Sequence, residues 1–445
     1  MNKNILRFCA IYAKNAEING DEMLIEFRVR NFRSFGDEAV LSLVASSDKS
    51  LAETNTTLTK TPSAQRTLRT AVVYGANASG KSNLLRAMAV MGGIVRESFA
   101  LRPEQLLNVQ PFRLSAALST EPTLFEIMMT LDGVRYQYGF ELTASRIVAE
   151  WLLVYQKTKP QTWFDRRYDP ATEKETFEFG SHLAGNKRAW QDATRPNALF
   201  LSTAVQLNSD QLKPLHAWFV DSLVVSFDLG QIHPAYSTNI ILDPEGHAAI
   251  KSILNAADIG ISSISAVRQN NPIQQFWIDT ATGRSETRTE PGETLVPHFH
   301  HLGQGTEAVF GYEDESRGTQ TLFSLAGPLL DVIRNGRTFI IDELDRSLHP
   351  LLVRQIIKIF HDPESNPTGA QLIFSTHDTS LLDSNLFRRD QIWLTEKRVD
   401  QSSELIPLIE FSPRKGEALE KAYLGGRYGG VPILRERLLS GRTLG

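Results

Sequence analysis

Apolar and polar residues alternate first in "LIEFRVRNFRSF" (24–35). Ile25, Phe27 and Val29 take turns with Glu26, Arg28 and Arg30, the pattern of a half-buried strand. "RTAVVYG" (69–75) is a short continuous apolar run, as in a strand covered on both faces. "KSNLLRAMAVMGGIV" (81–95) follows it with Leu84, Leu85, Met88 and Met91 on one helical face. Between the first strand and "RTAVVYG", residues 46–66 are rich in Ser, Thr and Lys and predict an exposed hairpin or loop.

The texture changes between about 120 and 205. "TLFEIMMTLDGVRYQYGFEL" (123–142) predicts two antiparallel strands joined at Asp132-Gly133. Strand-like pieces recur at "EWLLVYQ" and "TWFDRRY". From 210 to 300 come helical patterns, "QLKPLHAWFVDSL" and "HAAIKSILNAAD", then a polar segment ending in "HFHH". Strand and helix alternate again afterwards: a helix over about 318–335, a buried strand "RTFIIDE", an amphipathic helix "PLLVRQIIKIF" and a strand "AQLIFSTH". Apolar strands and helices at both ends of the chain predict one α/β core with a mixed, mostly parallel sheet built from distant segments. The expected division is an extension over 1–22, the first half of the core over 23–110, an inserted α+β lobe over 111–300 and the second half of the core over 301–445. No heptad pattern persists, so no long coiled coil is expected.

Composition narrows the classes. An apolar fraction of 41% and a net charge of −4 fit a soluble globular chain with no global basic field, so nucleic acid would need a local patch. The single cysteine, Cys9, cannot form an internal disulfide and fits a reducing compartment. No apolar run nears the ~20 residues that span a bilayer, and the start is a poor signal peptide. A cytoplasmic location with no membrane partner is expected.

The chemistry concentrates in three places. Gly75-Ala76-Asn77-Ala78-Ser79-Gly80-Lys81-Ser82, followed by Asn83, fits G-x-x-x-x-G-K-[ST]. Its glycines let backbone N–H groups face phosphate oxygens at a helix N-terminus. Lys81 reaches toward the β- and γ-phosphates, and the Ser82 hydroxyl suits Mg²⁺. With 29 glycines in 445 residues, an accidental match is expected only about once in a hundred such chains, so ATP with Mg²⁺ is the expected ligand. "TFIIDE" places Asp342 as a second Mg²⁺ ligand and Glu343 to orient or deprotonate a water. Alone, that pair reads as two solvated acids at a strand end. His377 in "STHD" ends the next strand, where it would sense the γ-phosphate or hold the water. By itself such a histidine is more often structural.

In this order the motifs "FRVRNFRSF", "YGANASGKSNLL", "SRGTQTLFSLAG", "FIIDELDRSLHP", "IFSTHD" and "YLGGRYGGVPIL" resemble the ATP-binding-cassette (ABC) type of P-loop ATPase. The likeness is to the soluble branch related to SMC, RecF and Rad50 proteins, and more closely to the AAA15/AAA21 (RloA-like) family. The resemblance implies an ABC-type, SMC/RecF-like core. It puts Ser316, Gly318 and Thr319 in the signature that contacts the γ-phosphate held by a partner subunit, and Asp345 in the D-loop at the dimer seam. Outside that context Ser316 is a helix cap and Asp345 a capping aspartate. The glutamine expected to complete the site as a Mg²⁺ or water ligand is Gln206 in "LFLSTAVQLNSDQL", with Gln110 in "NVQPF" as its competitor; an ordinary surface glutamine is as good a reading of either.

Other features carry less. Arg30 and Arg33 read as the wet face of a strand, with nucleotide or nucleic acid as the alternative. His298, His300 and His301 lack acidic or cysteine partners at ligand spacing and read as a polar loop. "LGGRYGG" marks a tight loop with no physical role evident from its composition.

The resemblance implies a homodimer, or a higher even oligomer, with ATP at its interface. It would act as a switch for a separate effector, a nuclease or toxin, in bacterial anti-phage defence of the abortive-infection type. The alternative is a RecF- or Rad50-like repair ATPase that binds DNA, which calls for a basic groove or a coiled coil. A nuclease of the overcoming-lysogenization-defect type would need a carboxy-terminal Toprim module, for which residues 378–445 are too few. "NKRA" (186–189) lacks the acid with which small GTPases read guanine.

Overall fold

The computed structural model describes residues 22–61, 66–257, 260–270, 273–278, 285–290, 292–414 and 416–431; the expected extension over 1–22 falls outside them except for Glu22. The chain forms two compact units. One comprises the described residues of Asp21–Val225, Thr338–Glu343 and Gln371–Gly445, the other those of Ser226–Arg337 and Leu344–Ala370.

The first unit holds a six-stranded mixed sheet in the order Leu223–Ser226, Thr338–Ile341, Gln371–Ser375, Thr70–Gly75, Ile392–Lys397, Ser403–Pro407. The four strands from Thr338–Ile341 to Ile392–Lys397 are parallel, and Ser403–Pro407 closes the edge antiparallel. Every residue of Thr70–Gly75, Thr338–Ile341 and Gln371–Ser375 is buried, which explains their unbroken apolar runs. Parallel neighbours require crossovers, so segments 300 residues apart in sequence lie side by side.

A second, seven-stranded antiparallel sheet runs Lys174–Phe179, Gln161–Asp169, Ile147–Tyr155, Val134–Leu142, Thr123–Leu131, Met23–Arg30, Ala39–Ser42. Asp132 (φ 50°) and Gly133 (φ 75°) make the expected two-residue turn, with Leu131 opposite Val134. Met23–Arg30 pairs directly with Thr123–Leu131. The strand-rich part of segment 111–300 therefore shares a sheet with the first strand of the chain. Phe27, Phe125, Phe140 and Tyr138 are fully buried on its inner face.

Beneath this sheet lies a buried ion pair. Glu150 accepts N–H bonds from Phe200 (2.6 Å) and Leu201 (2.9 Å) and the hydroxyl of Tyr138 (3.0 Å), with Arg166 at 3.5 Å. Burial drives its carboxyl above the usual range, against the pull of Arg166 and the N–H donors. The carboxylate thereby fastens the first turn of helix Phe200–Gln206, whose leading N–H groups have no partner inside the helix.

The described residues of segment 46–66 are less exposed than their composition suggests. A helical turn, Ala52–Asn55, leads into strand Thr56–Leu58, which pairs with Arg66–Leu68. Asn55 is buried and donates to Leu386 O and Gln391 Oε1. Asn55, Thr56, Thr59 and Thr61 are buried, while Ser47, Lys49, Glu53 and Lys60 face solvent.

The second unit contains a three-stranded antiparallel sheet (Ile261–Asn270, Glu293–Leu302, Glu307–Gly311), a hairpin (Ile273–Ile278 with Ser285–Glu290) and helices Ala235–Ile240, Pro244–Ala256, Arg317–Asn335 and Pro350–His361. "HFHH" lies in strand Glu293–Leu302, not in a loop. Helix Arg317–Asn335 carries Pro328 in its interior, leaving Ser324 O without its usual donor. Ser237 fills the break: its hydroxyl donates to Ser324 O (3.1 Å) and accepts from Gly327 N (3.0 Å). Only glycine fits at 327, since a Cβ there would lie 2.6 Å from Ser237 Oγ. At 19 residues this is the longest helix, so the described residues hold no long coiled coil.

Candidate active site

Strand Thr70–Gly75 delivers the loop Gly75–Ser82 to the start of helix Lys81–Glu97, whose residues Leu84, Leu85, Met88 and Met91 are buried as expected. The loop is conformationally demanding: Gly75 has φ 152°, Ala78 61° and Gly80 121°. A Cβ on Gly75 would collide with Thr395 Oγ1 and Ser79 Oγ, and one on Gly80 with Ser403 Oγ. Ser79 Oγ and Thr395 Oγ1 share a hydrogen bond of 2.5 Å, and Thr395 Oγ1 also donates to Tyr74 O. Lys81 is buried, with Nζ donating to Gly75 O (2.8 Å) and Ala76 O (3.2 Å). The lysine ammonium is thus held inside the curl of the loop.

Strand Gln371–Ser375 lies between the phosphate-loop strand and Thr338–Ile341. That order sets Asp342 two strands from Gly75 and puts Ser375 next to it. Ser375 Oγ donates to Asp342 Oδ1 (2.5 Å) and accepts from Glu343 N (2.8 Å). One fully buried hydroxyl therefore orients the buried acid and the backbone of the next one. Glu343 has φ 52°, a left-handed conformation uncommon for a residue with a side chain. Ser375 and Thr395 were not singled out from the sequence, where a hydroxyl at a strand end carries no signal.

A cavity of about 530 Å³ is lined by Asn77, Ala78, Ser79, Gly80, Lys81, Ser82 and Asn83, and by Ser34, Arg86, Glu343, His377 and Lys397. Distant motifs thus meet: phosphate loop, second acid and strand-end histidine face one space. The donors suit a nucleoside triphosphate with Mg²⁺. A glycine-lined cradle and a buried lysine suit the anion, and Ser82 offers a hard oxygen for the cation; Asp342, held by Ser375 Oγ, is buried one residue before Glu343 and is not among the lining residues.

Next to it is a recess of about 290 Å³ that shares Ser34, Asn83 and Lys397 and adds Arg33, Gln110, Phe112, Arg113 and Gln401. Arg30 behaves as a wet-face residue, paired with Glu141 at 3.1 Å. Arg33 does not: it turns at φ 52°, donates its N–H to Gln110 O and leaves Nε buried without a hydrogen-bond partner. Burial, then the charges of Arg86 and Arg113, press its pKa below the usual arginine value. Gln110 lines this recess, whereas Gln206 is exposed at the end of helix Phe200–Gln206 and lines neither space. The helix buries Phe200 to Ala204 and leaves its last side chain outside.

The signature and D-loop residues belong to the other unit. Ser316 caps helix Arg317–Asn335, its Oγ accepting from Thr319 N at 3.2 Å. Gly318 faces Ser347 O, 3.5 Å from where a Cβ would stand, so signature and D-loop segments adjoin within that unit. Asp345 O accepts from Leu348 N. His300 bonds Ser265 Oγ (2.9 Å) and Glu307 (3.1 Å), and His301 bonds Glu315 (2.6 Å), the residue before Ser316. These acids lie across the sheet from their histidines or 14 residues on, beyond the reach of spacing rules. Among the described residues no helix is long and apolar enough to cross a membrane.

Comparison with known proteins identifies the family. The family model described as "AAA domain, putative AbiEii toxin, Type IV TA system" matches residues 71–383. No curated protein matches the chain. Among solved structures, an SMC head domain from Thermotoga maritima is similar at 12% identity and a TM-score of 0.38, over 86% of this chain and 98% of that one. An SMC head bound to the C-terminal winged-helix domain of ScpA is similar at 14% and 0.35, covering 86% and 96%. A Pyrococcus furiosus SMC head with an extended coiled coil, bound to the C-terminal domain of ScpA, is similar at 13% and 0.36, covering 87% and 97%. These distant likenesses add no weight of their own. With well over half its length matched by the family model, the chain belongs to the AAA_21 family of P-loop ATPases.

Proposed function

We propose that the chain is an ATP-hydrolysing, dimerising switch of the ABC type. The observation that carries this is the convergence of Lys81, Ser82, Glu343 and His377 on one cavity, with Ser375 holding Asp342 and the Glu343 backbone. The phosphate loop binds the triphosphate through its N–H groups and Lys81. Mg²⁺, held by Ser82 and Asp342, would neutralise charge on the phosphates. Glu343 and His377 orient the attacking water, and Glu343 accepts its proton. The new bond joins water oxygen to the γ-phosphorus, and the bond that breaks releases ADP. Gln110, from the adjoining recess, is our choice for the glutamine that completes the site.

In this reading Ser316, Gly318 and Thr319 of a second copy close over the γ-phosphate, with Asp345 at the seam. ATP then favours the closed pair, and hydrolysis reopens it. The family description names a toxin and a toxin–antitoxin system, which supports a role in bacterial anti-phage defence, in the cytoplasm, with a separate effector.

The test is Glu343→Gln. Turnover should vanish while ATP binding persists, and light scattering should find an ATP-dependent dimer. Hydrolysis at the wild-type rate would refute the assignment. Co-purification of a nuclease or toxin with the native protein would support the defence role; tight DNA binding by the lone chain would favour repair instead.

A further inference from the structure

The glycine-rich run near the carboxyl end packs on the back of the nucleotide site. Helix Leu419–Leu424 leads into Gly426 (φ 76°), Gly429 (φ 69°) and Gly430 (φ 68°), all left-handed. A Cβ on Gly430 would sit 3.5 Å from Thr395 O and 3.7 Å from Gly75 Cα, the first residue of the phosphate loop. A Cβ on Gly429 would collide with Glu396 Oε2, one residue before Lys397 of the cavity. Tyr423 is buried, and its hydroxyl donates to Gly430 O at 3.0 Å. Its ring meets Tyr74, which precedes Gly75, with centroids 5.8 Å apart. Tyr74 in turn donates to Asp378 O (3.1 Å), and Thr379 to Glu420 (2.9 Å), both just beyond His377. The run is pinned at its other end by buried Tyr428, whose hydroxyl donates to Glu417 at 2.9 Å.

Apart from the run's internal bonds Tyr423–Gly430 and Tyr428–Glu417, each contact reaches a residue within three positions of a group lining the cavity. Thr395, whose carbonyl would lie 3.5 Å from a Cβ at position 430, is also the residue whose hydroxyl bonds Ser79 in the loop. A peripheral turn would not need three left-handed glycines and close approach to Gly75 and Thr395.

We propose that Leu419–Gly430 is a clamp that positions the phosphate loop, with Tyr423 and Gly430 as its positioning residues. The proposal rests on the nucleotide-binding reading above. A displaced loop loses contacts made equally to bound ATP and to the transition state, so its signature is a raised KM at nearly constant kcat.

The experiment uses the full chain and Gly430→Val, Gly430→Asn, Tyr423→Phe and Lys81→Ala. It measures the Kd of a fluorescent N-methylanthraniloyl ATP analogue with Mg²⁺, steady-state phosphate release, and the unfolding midpoint without nucleotide. Gly430→Val should raise Kd and KM about tenfold, and Tyr423→Phe about threefold, with kcat within about twofold of wild type. Gly430→Asn should recover most of the affinity, because asparagine tolerates the left-handed backbone. If Gly430→Val does not fold, Tyr423→Phe, which keeps the ring, decides. Binding abolished by Lys81→Ala but unchanged in the clamp variants, even with a lowered midpoint, overturns the clamp alone. A wild type that binds no more tightly than Lys81→Ala overturns the nucleotide reading and the clamp with it.

Discussion

Ser375→Ala isolates the link between the two acids. The substitution removes one oxygen from a fully buried site and adds no volume. Two bonds go with it: one donated to Asp342 Oδ1 at 2.5 Å, the other accepted from Glu343 N at 2.8 Å. The first is charge-assisted and contributes roughly 1.5–3 kcal/mol; leaving the second donor without its partner costs roughly 1–3 kcal/mol more. Stability should therefore fall by about 2–4 kcal/mol, allowing partial relaxation. Glu343 holds a left-handed backbone that Ser375 helps to secure, so its carboxylate should lose its aim as well. If half of the lost energy was spent on orientation in the transition state, kcat drops roughly 5- to 30-fold. ATP affinity should change little, because Ser375 does not line the cavity. Phosphate-release kinetics, a binding titration and denaturant unfolding report these quantities separately. A variant with wild-type kcat, or one that loses ATP affinity as much as kcat, would show that Ser375 does not orient the acids.

Three further outcomes are expected. Ser237→Ala should destabilise the second unit by about 1–3 kcal/mol in denaturant melts, since Ser324 O and Gly327 N lose their partner beside Pro328. Glu150→Gln should cost about 3–5 kcal/mol by the same measurement, because an amide cannot answer Arg166 and all three donors at once. Gln110→Ala should slow ATP turnover about tenfold or more, while Gln206→Ala, exposed and outside both spaces, should leave it within about twofold.

The local rules of the chain were legible because they act over a few residues. The strand–loop–helix of the phosphate site, the Asp132-Gly133 hairpin and helix Arg317–Asn335 all follow from periodicity, capping and turn chemistry. The glycine-rich loop and the acid pair were likewise visible as motifs, and the structure brings Gly80, Lys81, Ser82 and Glu343 to one cavity. Tertiary structure decided what those rules cannot reach. Sheet order is a contest among strands of similar apolar content, and only packing placed Gln371–Ser375 between the loop and the acids, turning Ser375 into their shared partner. It likewise turned Arg33 from a wet-face residue into one lining a recess, and put Gln110, with Gln206 exposed elsewhere, in the recess beside the cavity of the glycine-rich loop. Long-range hydrogen bonds and burial leave almost no mark on the residues that make them, so a serine, a tyrosine or a glycine reads the same until the chain brings its partner beside it.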